Sequence, residues 1–291
     1  MDGESLEAAR SEARASDRCF SKGRLRDEFH MKPKPDALPV KFYKDGFGGK
    51  FGVYRIADCV PIRRRAAEPP SEKQQRARAI LALKAKLRSS QAVASGIAGA
   101  WLSAAPLFLD TESTGLGSDA QIIEIAITDA SGNVLLESRL RPTVPIEPGA
   151  LAVHGIDDQA LANAPIWPQI AGDVQRLLRG RVVVIFNAEF DARMLQQTAA
   201  AFGESSDWWR EVDACCAMFL AADTYGATNR YGTISLANAT CAAGVTWPGR
   251  AHSATVDAMV TAELVKAIAA IRLALDRELA VLLPREEVMP C

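Results

Sequence analysis

Paired cysteines are missing from this sequence. Its six cysteines (Cys19, Cys59, Cys215, Cys216, Cys241 and Cys291) are scattered and form no Cys-x-x-Cys spacing. The adjacent Cys215 and Cys216 suit neither a zinc ribbon nor a disulfide framework, so reduced thiols in a cytoplasmic protein are expected. A secretory leader is not expected either, because Met-Asp-Gly-Glu is not a basic segment followed by an apolar core. Long apolar runs are almost absent. Gln91 to Leu109 carries no charge, but Ser95, Gly96, Gly99, Ser103 and Pro106 break it and Asp110 ends it. Such a run makes a poor bilayer helix and is read as a buried helix over about Ala92–Leu102, a turn and a short strand. No internal repeat is visible.

Net charge is also nearly absent: Lys+Arg 34 against Asp+Glu 35 leave −1. That balance weighs against a generic polycationic binder, but it averages two unlike halves. Residues 1–105 hold 21 Lys/Arg and 12 Asp/Glu, whereas residues 106–291 hold 13 and 23. Hydrophobic residues at 48% and charged residues at 24% are ordinary globular values, which exclude a fibrous or wholly disordered chain.

Residues 1–30 alternate charges with Ala and Ser and predict a mobile or loosely helical arm. Residues 31–63 mix Lys and Gly with aromatics, including Lys41-Phe42-Tyr43-Lys44, Gly46-Phe47-Gly48 and Val53-Tyr54. A small hairpin is expected there, then a linker over Pro61–Pro70 and a helix from about Ser71 to Arg88. From Pro106 onward the pattern sharpens. Strands are expected at Pro106–Asp110, Gln121–Asp129, Val134–Leu140 and Val182–Phe186, the middle two forming a hairpin. Helices are expected near Ile166–Leu178, Glu189–Phe202, Val212–Ala222, Ile234–Ala243 and Thr255–Ile271, with a last amphipathic piece at Leu273–Leu283. Apolar strands alternating with helices indicate an α/β fold whose sheet is covered on both faces.

Asp110 and Glu112 close an apolar strand two residues apart, so their carboxylates share a face. Converging carboxylates repel each other unless a proton or cation intervenes, and hard oxygen donors suit Mg²⁺ or Mn²⁺ better than a zinc cage. Asp191 follows the buried strand at the opening of a helix, and Asp257 lies five residues after His252 at another helix start. Taken singly, each has an ordinary structural explanation: a solvated pair, a first-turn Asp, a helix-start Asp beside a partly exposed His. Asp213 reads as a helix cap, His154 as a loop residue making a structural hydrogen bond, and His30 as a surface residue.

Together these residues resemble the DnaQ-like (DEDDh) 3′–5′ exonucleases, the family of polymerase III epsilon proofreading subunits and RNase T. Asp110-Thr-Glu112-Ser-Thr-Gly115 matches the first motif, Asn187-Ala-Glu-Phe190-Asp191 the second, and His252-Ser-Ala-Thr-Val-Asp257 the third. The subtype with tyrosine would need that residue where Ser253 stands. Pro145 to Gly149, Val153 to Ile156 and Val212-Asp213 are further family-like pieces. Phe186 departs from the pattern, since many relatives carry His there. The likeness covers about residues 105–272.

The resemblance implies an RNase H-like mixed β-sheet flanked by α-helices. It also implies two Mg²⁺ or Mn²⁺ ions held by Asp110, Glu112, Asp191 and Asp257, with His252 as general base. Thr111, Thr114, Gly115 and Leu116, with Asn187 and Phe190, would cradle the terminal nucleotide. The implied partner is a nucleic-acid 3′ end, with single-stranded DNA ahead of RNA and no membrane. The expected organisation is an arm (1–30), a basic accessory region (31–104), an exonuclease domain (105–272) and a helical tail (273–291). Residues 32–90 carry 15 Lys/Arg and 5 Asp/Glu interleaved with Phe42, Tyr43, Phe47, Phe51 and Tyr54. These could bind a single strand, form a small core, or dock a protein partner or a second copy of the chain. A non-catalytic nucleic-acid or polymerase-binding adaptor and a phosphodiesterase acting on short oligonucleotides are the alternative functions. All five motif positions are present, which an adaptor with a decayed site would not need.

Overall fold

The computed structural model describes residues 3–44, 49–62 and 69–283. It divides into two compact units, Met1–Ser71 and Glu72–Cys291. Gly46, Phe47 and Gly48 of the expected hairpin, residues 63–68 of the expected linker, and residues 284–291 of the expected tail, with Cys291, lie outside the described residues.

The first unit runs α1 (Gly3–Ala15), β1 (Cys19–Ser21), α2 (Lys22–Asp27), β2 (Met31–Pro33), β3 (Lys41–Lys44), β4 (Lys50–Arg55) and β5 (Cys59–Pro61). Strands β1, β4 and β3 form one antiparallel sheet, in that order, and β2 pairs with β5. Residues 1–30 are therefore not a loose arm. Ala13, Phe20, Leu25 and Phe29 are buried with Met31, Tyr54, Ile56 and Cys59 in one apolar cluster. Arg10 ties α1 down by donating from Nε to the Phe29 carbonyl at 2.8 Å. Each short segment contributes only one of these residues, so no sequence period betrays the core.

The second unit begins with α3 (Glu72–Lys86) and α4 (Ser90–Ser103), then β6 (Leu107–Ser113), β7 (Ile122–Asp129) and β8 (Val134–Arg139). After α5 (Pro148–His154) and α6 (Asp158–Leu161) come α7 (Trp167–Leu178), β9 (Val182–Ile185) and α8 (Ala188–Ala201). The chain closes with β10 (Asp213–Cys216), α9 (Ala217–Tyr225), α10 (Leu236–Ala243) and α11 (Ala254–Leu282). The sheet order is β10-β9-β6-β7-β8. Strands β6, β7 and β8 form an antiparallel meander, while β9 and β10 run parallel to β6. Asp129 Oδ1 accepts from the backbone N–H of Ser131 and Asn133, which sets the tight β7–β8 turn. This mixed sheet has apolar clusters on both faces. One gathers residues of α4, α9, α10 and α11, the other residues of α7 and α8. Leu264, Val265 and Ile268 of α11 are fully buried, at about 1.5–3 kcal/mol for each such side chain.

Three expectations need correction. Val212–Ala222 is not one helix. Asp213 opens the edge strand β10, paired in register with Val182, and helix α9 starts only at Ala217, so Asp213 is not a helix cap. The sequence Asp-Ala-Cys-Cys has no β-branched residue and no alternation, so nothing in it announces a strand. Thr255–Ile271 and Leu273–Leu283 are one 29-residue helix, because no Pro or Gly interrupts Ala254–Leu282. Its buried residues stop at Ala269, and that change of face produces the apparent break. His154 is the last residue of α5 rather than a loop residue, with Gly155 capping at φ 73°. Among the described residues no helix is long and apolar enough to cross a membrane.

Candidate active site

Strand β6 is central, and its alternation decides what faces what. Leu107 and Leu109 enter the α7–α8 cluster, whereas Phe108 enters the α11 cluster. Asp110 and Glu112 continue the Phe108 face, over which α11 lies. Asp191 sits in the first turn of α8, buried, and accepts a 2.7 Å hydrogen bond from Thr111 Oγ1. Asp257, also buried, sits in the first turn of α11. The His252 backbone N–H donates to Asp257 Oδ1 at 3.3 Å. His252 itself is exposed and holds a left-handed φ of 63°, uncommon for a residue with a Cβ. Potential ligand atoms of Glu112, His252 and Asp257 all lie within 4.8 Å of one another.

One pocket of about 320 Å³ is lined by Asp110, Glu112, Asp191, Asp257 and His252, together with Thr111, Leu116, Phe186, Asn187, Phe190 and Leu236. The five motif positions are thus brought together. A neighbouring pocket of about 220 Å³ shares Glu112, Leu116 and Phe190 and adds Ser113, Gly115, Glu147 and His154. Leu116 is 72% exposed and stands at both mouths. Gly115 lets the Glu147 carboxylate fold close over the backbone, since a Cβ there would lie 2.2 Å from its carboxyl carbon and would push that side chain away. Thr114 differs from the other expected substrate-binding positions. Its buried hydroxyl accepts from the Gln121 N–H at 3.0 Å, and it lines neither pocket.

Sequence reasoning passed over Glu124. It is buried on β7 and lies opposite Glu112 in the antiparallel register. Its Oε2 accepts from the Ala254 N–H at 3.0 Å, the first residue of α11, and Arg139 approaches its Oε1 at 3.5 Å. A lone Glu within Ile122-Ile-Glu-Ile-Ala-Ile was the available signal, because a carboxylate in a strand apolar on both faces must have a partner. Arg193 was missed as well. Its guanidinium donates to the Leu116 carbonyl at 3.2 Å and lies over the Phe190 ring, tying α8 to the pocket rim. His154 makes a structural bond, Nδ1 accepting from Ile156 N–H at 2.9 Å.

The electrostatics of the cluster are those of an uncompensated anion. Burial, then Asp191, Asp257, Glu112 and Glu124, hold the Asp110 carboxyl well above the usual carboxylate range. Burial, then Asp257, Glu124 and Asp191, push Glu112 up to about 8. Asp191 is raised to about 7 by burial, against the lowering effect of its Thr111 hydrogen bond. Burial raises Asp257 to about 6, opposed by the His252 N–H and reinforced by Glu124. Groups that resist ionising together bind a proton or a cation readily.

A protein-family model for RNase T-type exonucleases matches residues 107–265, more than half of the chain. The chain is similar to the uncharacterized exonuclease CP81 of Escherichia phage 186, with 38% identity over 175 residues, 58% of this chain and 90% of that protein. It is also similar to the uncharacterized protein pSLT049 of Salmonella typhimurium, 49% identical over 124 residues, 43% of this chain and 88% of that one. Among solved structures, exonuclease X in complex with 5′ overhanging duplex DNA has a TM-score of 0.44 and 26% identity, covering 60% of this chain and 98% of that chain. The chain belongs to the RNase T, or DnaQ-like, exonuclease family.

Proposed function

We propose that this protein is a metal-dependent 3′–5′ exonuclease that removes nucleotides from nucleic-acid 3′ ends, with DNA preferred over RNA. The observation that carries the reading is the convergence of Asp110, Glu112, Asp191 and Asp257 with His252 in one pocket. The donor set fits divalent cations: four hard carboxylates, three of them raised to about 6, 7 and 8, need positive charge to ionise together. Bound there, a pair of Mg²⁺ or Mn²⁺ ions supplies Lewis-acid activation of water and charge stabilisation for the leaving 3′ oxygen.

The chain's own residues do the rest. Thr111 fixes the Asp191 carboxylate through its hydroxyl, and the His252 N–H fixes that of Asp257. Leu116, Phe186 and Phe190 give the pocket apolar walls against which a terminal base or sugar packs. His252, exposed at the rim, takes the proton of the attacking water. As the water oxygen bonds to phosphorus, the bond to the 3′ oxygen breaks and that oxygen gains a proton from solvent. The products are a nucleoside 5′-monophosphate and a strand one nucleotide shorter.

The test is a 5′-labelled panel of single-stranded, duplex and mismatched DNA and RNA with either metal. The expected outcome is a descending ladder from single-stranded DNA with Mn²⁺, lost in Asp110→Asn. Equal digestion by that variant, or release of the 5′ label in one step, refutes the reading.

A further inference from the structure

The three-stranded sheet of the first unit buries Phe20 and Tyr54 on one side, where Phe42 of its edge strand β3 stays exposed, and leaves Tyr43 and Phe51 open on the other. The register places Phe20, Gly52 and Tyr54 toward one face, and Phe20 and Tyr54 are buried there. The opposite face carries Lys41, Tyr43, Phe51, Val53, Ser21 and Cys19. On it Tyr43 and Phe51 pair directly across strands, their rings stacked at 6.0 Å with 26° between planes. Both remain open to solvent, at 46% and 41% exposed. They border a shallow depression of about 370 Å³ shared with Val53, Ser21, Cys19 and, at the β1 edge, Phe20 with Arg24 lying 5.3 Å over its ring.

Charge identifies the occupant. Lys41 Nζ stands 5.2 Å from the Tyr43 ring centre, and among the described residues no carboxylate pairs with it. Arg24 lines the depression, though it also binds Glu28 at 2.8 Å, and Arg55 on the same face approaches Asp17 at 3.5 Å. No carboxylate lines the depression among the described residues. Residues 18–62 hold ten Lys/Arg and five Asp/Glu, so the surroundings are positive. A stacked aromatic pair on an open sheet face, with Lys41 beside it and Arg24 and Arg55 sharing their charge with Glu28 and Asp17, matches what single-stranded nucleic acid requires. Bases stack on rings, and phosphates meet Lys and Arg. An apolar partner would gain nothing from the cations.

We infer that the Lys41/Tyr43/Phe51 face of the first unit is a binding surface for single-stranded nucleic acid, separate from the carboxylate pocket. The inference rests on the nuclease reading only for the claim that substrate is what the surface holds.

The test uses the full chain in EDTA and fluorescence anisotropy with a 5′-fluorescein oligothymidine of about 20 nucleotides, long enough for one such surface. Tyr43→Ala with Phe51→Ala is expected to weaken binding about tenfold or more, since base–aromatic stacking has that order of magnitude. Phe51→Trp should retain affinity, which separates stacking from misfolding. Lys41→Ala should reduce the salt slope by about 0.7, the value for one phosphate contact on a single strand. Phe42→Ala, on the other face, should leave binding unchanged. The inference is overturned by undiminished binding in the double alanine variant with a native circular dichroism spectrum. Loss confined to Lys41→Ala, or an equal loss in Phe42→Ala, overturns it too. So does displacement of the oligonucleotide by polyglutamate as readily as by unlabelled oligothymidine, which would mark an acidic-polypeptide surface. A 5′-labelled dinucleotide hydrolysed with Mn²⁺ keeps the two readings apart. The double variant should cleave it like the parent if the carboxylate pocket is the nuclease, whereas failure of the parent itself would fault the nuclease reading alone.

Discussion

Asp257→Asn should make the metal-free protein more stable while abolishing its activity. In the folded chain Asp257 titrates at about 6, raised from 3.8 chiefly by burial. A carboxyl whose folded pKa lies above its unfolded value binds protons more tightly when native. Its favourable contribution is therefore complete below about pH 3.8 and is lost as pH rises through about 6. The rise from 3.8 to about 6 corresponds to about 3 kcal/mol of destabilisation at pH 8. Asparagine keeps an oxygen for the His252 N–H, now at 3.3 Å, and removes the charge. It also relieves Glu112 and Asp110, both of which Asp257 raises. For a unit of this size about 3 kcal/mol moves the melting temperature by about 6–12 °C. The assay is thermal unfolding by circular dichroism in EDTA from pH 4 to 8, repeated with Mn²⁺. The variant should melt higher than the parent at pH 8, and the gap should close toward pH 4. Saturating Mn²⁺ should stabilise the parent by more than the variant, because only a cation bound to the native state shifts its unfolding. A variant that melts at or below the parent in EDTA at pH 8 would refute the argument that these carboxylates are held apart from their counterion.

Substitutions at two further positions probe how α11 is anchored. Glu124→Ala removes the acceptor of the Ala254 N–H at 3.0 Å and should cost about 1–3 kcal/mol in urea unfolding. It should also lower kcat more than it raises KM, since Asp257 and His252 hang on that helix start. Ser95, buried in α4, donates to the Ile268 carbonyl at 2.6 Å and accepts from the Arg272 N–H at 2.7 Å. Ser95→Ala should cost only about 1 kcal/mol, because that i, i+4 pair can bond to each other within the helix. Ser95→Val adds bulk against a packed helix and should cost about 1–3 kcal/mol. An equal effect of the two would mean that the added bulk costs nothing and that the lost hydroxyl bridge accounts for the whole change.

What was legible followed from what burial demands of composition. Val182–Ile185 and Ile122–Ile127 sit inside the sheet, so apart from Glu124 their residues are apolar on both faces and the strands announce themselves. The carboxylates were legible through spacing, because two residues along a strand is one face whatever the fold around it. Elements that bury little left no trace. Strand β10 is an edge of Asp213-Ala-Cys-Cys, and α5 is a seven-residue helix with His154 as its most buried member. The core of the first unit was hidden for a different reason. Leu25 and Ile56 meet in it, yet they lie on segments too short to show a period of their own.

Glu124 falls between these cases. Its residue type was anomalous within an apolar strand, but its meaning needed the register that sets it across from Glu112 and the helix start that donates to it. Burying another carboxylate beside those of the pocket is costly for the empty fold, since Glu124 raises Asp110, Glu112 and Asp257. The same proximity anchors α11, and with it places Asp257 and His252 over β6. Stability would be better served by a neutral acceptor at that position. A charged one makes the pocket more anionic, and so a tighter receptor for the cations the proposed reaction needs. Glu124→Gln therefore separates the two contributions. It keeps an acceptor for Ala254 and should leave α11 in place, so any rise in the Mn²⁺ concentration needed for half-maximal activity measures the charge alone. An unchanged metal requirement would assign Glu124 a purely anchoring role.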